Sequence, residues 1–224
     1  MVRFGCRSSA HPHRHTGNLL LNHTTNGANV AEQKTRIRQQ AYAKRKAQED
    51  KDALSRQIVS QFMALDEYAA SETIMFYVDV RAEVRTRHNL AGALQSSKRI
   101  VVPYCVDGEL ELFHLESMEE LSIGMYQILE PRADLRPVAA KRIEVSQLDL
   151  IMVPGVAFDA RGARTGHGKG YYDKLLQHAR LDAPLVALAF DCQMFPELPS
   201  AAHDVFMDKI ITQSNVHTGL GRSR

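Results

Sequence analysis

The amino-acid sequence predicts an α/β protein of three layers, α/β/α, built on a mostly parallel, doubly wound open sheet. Two patterns predict it. Short apolar runs with strand character fall at 72–78, 99–104, 149–153, 185–190 and 209–212, and helical segments at 86–97 and 171–180 lie between them. Strands interleaved with helices imply parallel pairing with both sheet faces covered. Ligands of such sheets lie beyond the carboxyl ends of the strands, and Val78, Pro154 and Phe190 each open a loop at that edge.

Taken in order, the first residues stand apart. They carry Arg3, Arg7 and Arg14 and no acidic residue before Glu32. Residues 1–31 are therefore expected to form a disordered extension, with an organelle transit peptide as the alternative. The alternating His11, His13 and His15 read as part of a mobile tail. A helix begins near Glu32; Lys34 and Arg38 lie one turn apart on it, and Arg45 continues their side as a solvated basic face. Asp50 is placed to cap a second helix, where Leu54, Ile58, Phe62 and Leu65 recur at core spacing. After the strands at 72–78 and 99–104, Asp107-Gly108 has hairpin chemistry and leads into the alternating Leu110, Leu112 and His114. One domain is expected over 32–215, followed by a C-terminal tail at 216–224.

At 224 residues, 44% hydrophobic and 24% charged, the chain has the composition of a globular domain. No apolar run reaches bilayer-spanning length, so no membrane partner is expected. A net charge of +2 argues against nucleic acid as the partner. Cys6, Cys105 and Cys192 are few, odd in number and widely spaced, with no CxxC pair to suggest zinc or redox chemistry, and a reducing cytosol fits best.

The segment from Pro154 to Asp173 carries most of the chemistry. The strand Leu150–Val153 runs into a loop bearing Gly155, Gly162, Gly166, Gly168 and Gly170, and a helix follows with Leu175, Leu176 and Ala179 as its apolar side. Glycines let backbone N–H groups converge on an anion, and a helix start adds unpaired N–H groups and partial positive charge. Arg164 and Lys169 add charge, and Asp173 is placed to hold a divalent cation against the same phosphates. Together these describe a magnesium–nucleotide site. Neither Walker A, since Lys169 precedes Gly170, nor the GxGxxG fingerprint is matched. On glycine spacing alone, a plain surface loop whose Asp173 complements a helix dipole stays open.

The whole run PGVAFDARGARTGHGKGYYDKLL resembles the signature of the 5-formyltetrahydrofolate cyclo-ligase (methenyltetrahydrofolate synthetase) family. The likeness extends from Lys34 to about Asn215 through KTRIR, FYVDVRAEVRT, ILEP, LALAFDCQ and HDVFMDKIIT. The resemblance implies ATP- and Mg2+-dependent closure of 5-formyltetrahydrofolate to 5,10-methenyltetrahydrofolate through a phosphorylated formyl group, an imidate phosphate. It implies Lys169 and Arg164 as catalytic residues, and Lys34, Arg38, Arg164, Gly166, His167, Gly168, Lys169, Gly170 and Tyr172 as ATP contacts. Folate contacts would be Val78, Glu83, His167, Gly168, Lys169, Gly170 and Tyr171, and the metal ligands Asp173 and Asp204, with Asp208 as a helper. Read by itself, Glu83 is a surface glutamate and His203-Asp204 an ordinary turn.

Thr165 departs from the family pattern, where leucine is commoner. The implied partners are small molecules, handled by a monomer in the cytoplasm, or in a mitochondrion if the leader is a transit peptide. Two other functions stay open: a folate-binding homologue without ligase activity, and an ATP-dependent kinase or ligase acting on another heterocycle. The retained basic and acidic residues argue against the first. The loop from Val78 to Thr86 discriminates the second.

Overall fold

The computed structural model of the chain describes residue 1 and residues 21–124, 128–201 and 204–222, with side chains from Asn29 onward in the first helix. Helices α1 (Leu21–Ala47), α2 (Lys51–Met63) and α3 (Asp66–Ala70) precede strand β1 (Thr73–Met75). Then come α4 (Arg87–Ala93), β2 (Arg99–Val106), β3 (Glu109–Leu115), β4 (Leu121–Ile123), β5 (Leu129–Pro131), β6 (Arg142–Ile143) and β7 (Leu150–Val153). The last part holds β8 (Ala157–Phe158), β9 (Arg164–Thr165), α5 (Tyr171–Gln177), β10 (Leu185–Leu188), β11 (Lys209–Ile211) and β12 (Val216–Thr218).

The main sheet runs β12-β11-β10-β7-β1-β2-β3-β6. Its centre, β11-β10-β7-β1-β2, is parallel throughout, whereas β12, β3 and β6 pair antiparallel at the two edges. Alternation along the strands splits the core in two. Ile74, Ile100, Leu150, Met152 and Val186 face α2 and α4, through Ile58, Phe62 and Leu90. Met75, Val101, Ile151, Val153 and Ala187 face α5, through Leu175 and Leu176. Helices thus cover both faces, giving the expected three layers. The central order places a topological switch point between β1 and β7, with α4 leaving to one face and α5 to the other, and a crevice opens at that point in such sheets.

Several boundaries differ from the sequence expectation. Only Thr73–Met75 of the 72–78 run is ladder, because after Phe76 the chain is pinned to its own loop. The β2–β3 turn is a two-residue hairpin with φ of 48° at Asp107 and 84° at Gly108, as its chemistry demands. Asp50 does start α2, but in a left-handed conformation and without a side-chain cap. Residues 21–31, expected in a disordered extension, belong to α1. The tail expected after 215 is built into the fold. Strand β12 pairs with β11, and Arg222 donates to the carbonyls of Ala179, Arg180 and Ala183 in the turn that follows α5. His11, His13, His15 and His203 lie outside the described residues. Among those described, no helix is long and apolar enough to cross a membrane.

Candidate active site

At the switch point, the loops following β1 and β7 wall a cavity of about 1080 Å³, closed on one side by α1. Helix α1 is held there by its apolar side: Ala41 is fully buried with Val156, Ala157, Ala163 and Leu198, and Ile37 packs against them. That seat turns Lys34, Arg38 and Tyr42 into the cavity.

The glycine-rich segment after β7 is more ordered than a plain loop. Strands β8 and β9 pair as a hairpin, and Val156 N–H donates to Thr165 C=O at 2.8 Å. Arg164 is thereby buried, 8% exposed. Its guanidinium donates to Pro154 C=O at 3.3 Å and to Asp173 Oδ1 at 2.5 Å, and lies 5.8 Å from the Tyr172 ring centre. Arg38 Nε donates to Gly166 C=O at 3.0 Å. Gly168 has φ +94° and Gly170, the residue before α5, has φ +71°, both in the region where side chains are strained. Gly170 gives α5 no side-chain cap, and the first N–H groups of a helix lack intrahelical partners. Lys169 Nζ stands 5.8 Å from the Tyr171 ring centre, and its side chain is exposed at the cavity. Lys34 Nζ donates to Asp204 Oδ2 at 2.5 Å, and Ala201 N–H donates to the same oxygen at 2.7 Å.

The opposite wall is the loop after β1. Tyr77 donates its hydroxyl to Val84 C=O at 3.0 Å, and Thr86 Oγ1 donates to Tyr77 C=O at 2.6 Å. The buried Asp79 accepts from Thr86 N–H at 3.0 Å and from the Arg87 backbone and guanidinium. These bonds hold Glu83 in a fixed place, 5% exposed, where it accepts from Val80 N–H at 3.1 Å. Burial pushes the Glu83 carboxyl up to about 7. Its Oε1 lies 3.8 Å from His167 Nε2. Although His167 is 39% exposed, partial desolvation against the cavity wall, followed by the charge of Arg45, brings its imidazole down to about 4. With its imidazole lowered this far, His167 is uncharged at neutral pH, and the contact with Glu83 is not an ion pair. Burial also raises the Tyr172 hydroxyl far above its ordinary range, with the Glu83 charge adding to it.

The cavity gathers the residues singled out in the sequence. Lys34, Arg38, Val78, Glu83, Arg164, the run from Gly166 to Asp173, and Asp204 all line it. Two expectations fail. Arg45 is not a solvated face residue: it is 3% exposed and donates to Gly155 C=O at 3.2 Å. Asp208 does not assist a metal, because it sits at the amino edge of the sheet and accepts from Leu185 N–H at 2.8 Å. Sequence reading also missed Tyr42, Tyr77, Arg81, Tyr104 and Arg136 on the cavity wall. Only Tyr42 left a signal, falling one turn beyond Arg38 on the same helix. Thr165 is 1% exposed and its hydroxyl has no partner among the described residues.

An open parallel sheet whose switch point holds a cavity lined by six lysine and arginine side chains beside a glycine turn has the ligand-site arrangement of an α/β enzyme. A family model described as the 5-formyltetrahydrofolate cyclo-ligase family matches residues 30–213, and the chain belongs to that family. It is similar to the probable 5-formyltetrahydrofolate cyclo-ligase of Schizosaccharomyces pombe, 30% identical over 179 residues that cover 74% of this chain and 86% of that protein. The 5-formyltetrahydrofolate cyclo-ligase of Escherichia coli K12 is 28% identical over 172 residues, covering 75% and 92%. Among solved structures, the 5,10-methenyltetrahydrofolate synthetase of Aquifex aeolicus superposes with a TM-score of 0.72 at 31% identity, covering 85% of this chain and 94% of that one.

Proposed function

We propose that this chain closes 5-formyltetrahydrofolate to 5,10-methenyltetrahydrofolate at the expense of ATP, releasing ADP and phosphate. The observation that carries the reading is convergence: basic residues from α1, a buried glutamate from the β1 loop and the glycine turn after β7 meet in one cavity although far apart in sequence. In the proposed reaction the formyl oxygen attacks the γ-phosphorus as the bond to ADP breaks, giving an imidate phosphate. N10 then attacks the formyl carbon and loses its proton, and phosphate leaves. No covalent enzyme nucleophile is needed.

The protein's part is positioning and neutralisation of charge on the transferred group. Lys169 and Arg164 face the phosphoryl oxygens as catalytic residues, and the amides of Gly166 to Gly170 cradle the phosphates together with Lys34, Arg38, His167 and Tyr172. Glu83, ionised in part at neutral pH, accepts from the N–H groups of the reduced pterin, with Val78, His167 and Tyr171 beside it. The carboxylates of Asp173 and Asp204 line the same cavity and are hard oxygen donors. One or two carboxylates plus phosphate oxygens suit magnesium, so this pair would hold it once Arg164 and Lys34 turn to the nucleotide. Bound there, magnesium would neutralise phosphate charge. The proposed setting is the cytosol, and the proposed acting unit a monomer.

The test is direct: purified protein with magnesium, ATP and 5-formyltetrahydrofolate should generate the near-ultraviolet absorbance of the methenyl product. A folded sample that produces none refutes the reading.

A further inference from the structure

Arg45 is a buried cation to which the site described above gives no task. It leaves α1 on the side facing the β7 loop and is 3% exposed. Its Nε has no hydrogen-bond partner, and no ion pair joins it to a carboxylate, among the described residues. A charge held away from water without a counter-charge is costly. Its one hydrogen bond among the described residues, to Gly155 C=O at 3.2 Å, goes to a carbonyl that would keep a partner without it, since Gln193 Nε2 donates there at 3.0 Å and to Val156 C=O at 3.0 Å. The guanidinium instead lies 5.6 Å from the Tyr42 ring centre. Tyr42 in turn lies 6.0 Å, centre to centre, from the His167 ring, and His167 Nε2 is 3.8 Å from Glu83. A chain of contacts therefore runs from Arg45 to the cavity wall.

We propose that Arg45 is a positioning residue for the cyclo-ligase reaction: through Tyr42 and its own charge it keeps Glu83 an acceptor for substrate N–H groups and His167 a neutral ring beside it. Around Glu83 stand Asp79 and Arg81 from its own loop, Tyr77 after β1, His167 from the glycine turn and Tyr172 from α5. Arg38, Arg81 and Arg164 also face His167. Of these cations Arg81 is exposed, while Arg38 and Arg164 are engaged with Gly166 and Asp173. Arg45 alone among them is both buried and without an acceptor carboxylate. Its charge bears on both groups, lowering each. Arg45 does not line the cavity, so it acts on substrate only through these neighbours.

The proposal rests on the cyclo-ligase reading, so wild-type turnover and 5-formyltetrahydrofolate binding are measured first; their absence sinks that reading and says nothing of Arg45. Arg45→Gln keeps a donor for Gly155 and removes the charge, while Arg45→Lys keeps the charge. With wild type active, kcat/KM for 5-formyltetrahydrofolate and its calorimetric affinity are followed across pH. Arg45→Gln should move the acid limb of both upward by about one pH unit, a loss of roughly tenfold on that limb, with KM for ATP unchanged. Arg45→Lys should restore the wild-type limb. In a Glu83→Gln background, Arg45→Gln should move nothing further. A limb that stays in place in Arg45→Gln, or KM values for both substrates rising together, overturns the proposal. Should Arg45→Gln fail to fold, Arg45→Lys decides: a limb at the wild-type pH supports it, and a displaced limb overturns it.

Discussion

Glu83 is expected to destabilise the free protein while serving the substrate, and Glu83→Gln separates the two effects. Burial raises its carboxyl from 4.5 to about 7 in the folded chain. At about 1.4 kcal/mol per pH unit, that difference corresponds to about 3 kcal/mol. Below about pH 4.5 the group is protonated whether the chain is folded or unfolded, so the folded state carries no penalty. As pH rises toward 7, native Glu83 retains a proton that the unfolded chain has released, and stability falls. Glutamine fills the same space, can keep the bond from Val80 N–H, and does not titrate. The variant should match wild type near pH 4.5 and exceed it by about 3 kcal/mol at pH 8, roughly 6–12 °C in Tm for a domain of this size. His167 titrates in both proteins and largely cancels in the difference. Thermal melts of the two proteins across this range, without ligands, supply the measurement. A difference that does not grow with pH refutes the assignment of Glu83 as a desolvated carboxylate, and unaltered affinity for 5-formyltetrahydrofolate refutes its role as a pterin acceptor.

Lys169→Ala should lower kcat by about 10²–10³-fold, as loss of a single charge-stabilising donor does, with Tm unchanged because the side chain is exposed; retained turnover removes Lys169 from the mechanism. Gly168→Ala should cost about 1–2 kcal/mol of stability in denaturant unfolding, since its φ is +94° and the nearest neighbour of an added Cβ is the flexible Arg38 side chain at 3.6 Å; a neutral effect would mean the turn can relax. Chelation of divalent cations should abolish turnover, and Asp204→Asn should raise the magnesium concentration needed for half-maximal rate. Turnover indifferent to chelator would remove the metal from the account.

The alternation of strands and helices made the parallel core legible, and the Asp107-Gly108 hairpin followed from turn chemistry alone. The edges were not legible. Strand β12 is three residues long and gains its identity only by pairing with β11. Arg45 shows why a basic stripe misleads: seven residues after Arg38 it shares a helix side, but the docking of Ala41 and Ile37 against Val156 and Leu198 carries that part of the helix into the interior. Periodicity reports which residues share a face, and tertiary packing decides how deep each one sits. Asp208 misled for a topological reason. A connection between parallel strands must travel from the carboxyl to the amino edge of the sheet, so four residues beyond Asp204 the chain has left the cavity. The glycine segment was legible as an anion site, whereas folate as co-ligand was legible only through the family resemblance, because Glu83 has nothing in its sequence surroundings to mark it as buried.

A crystal structure with magnesium, an unhydrolysable ATP analogue and 5-formyltetrahydrofolate tests the central claim most directly. The terminal phosphates should lie within hydrogen-bonding distance of the amides of residues 166–170 and of Arg164 and Lys169, with the pteridine against Val78 and Glu83 on the facing wall. Nucleotide or folate seated outside the cavity at the switch point would contradict the account.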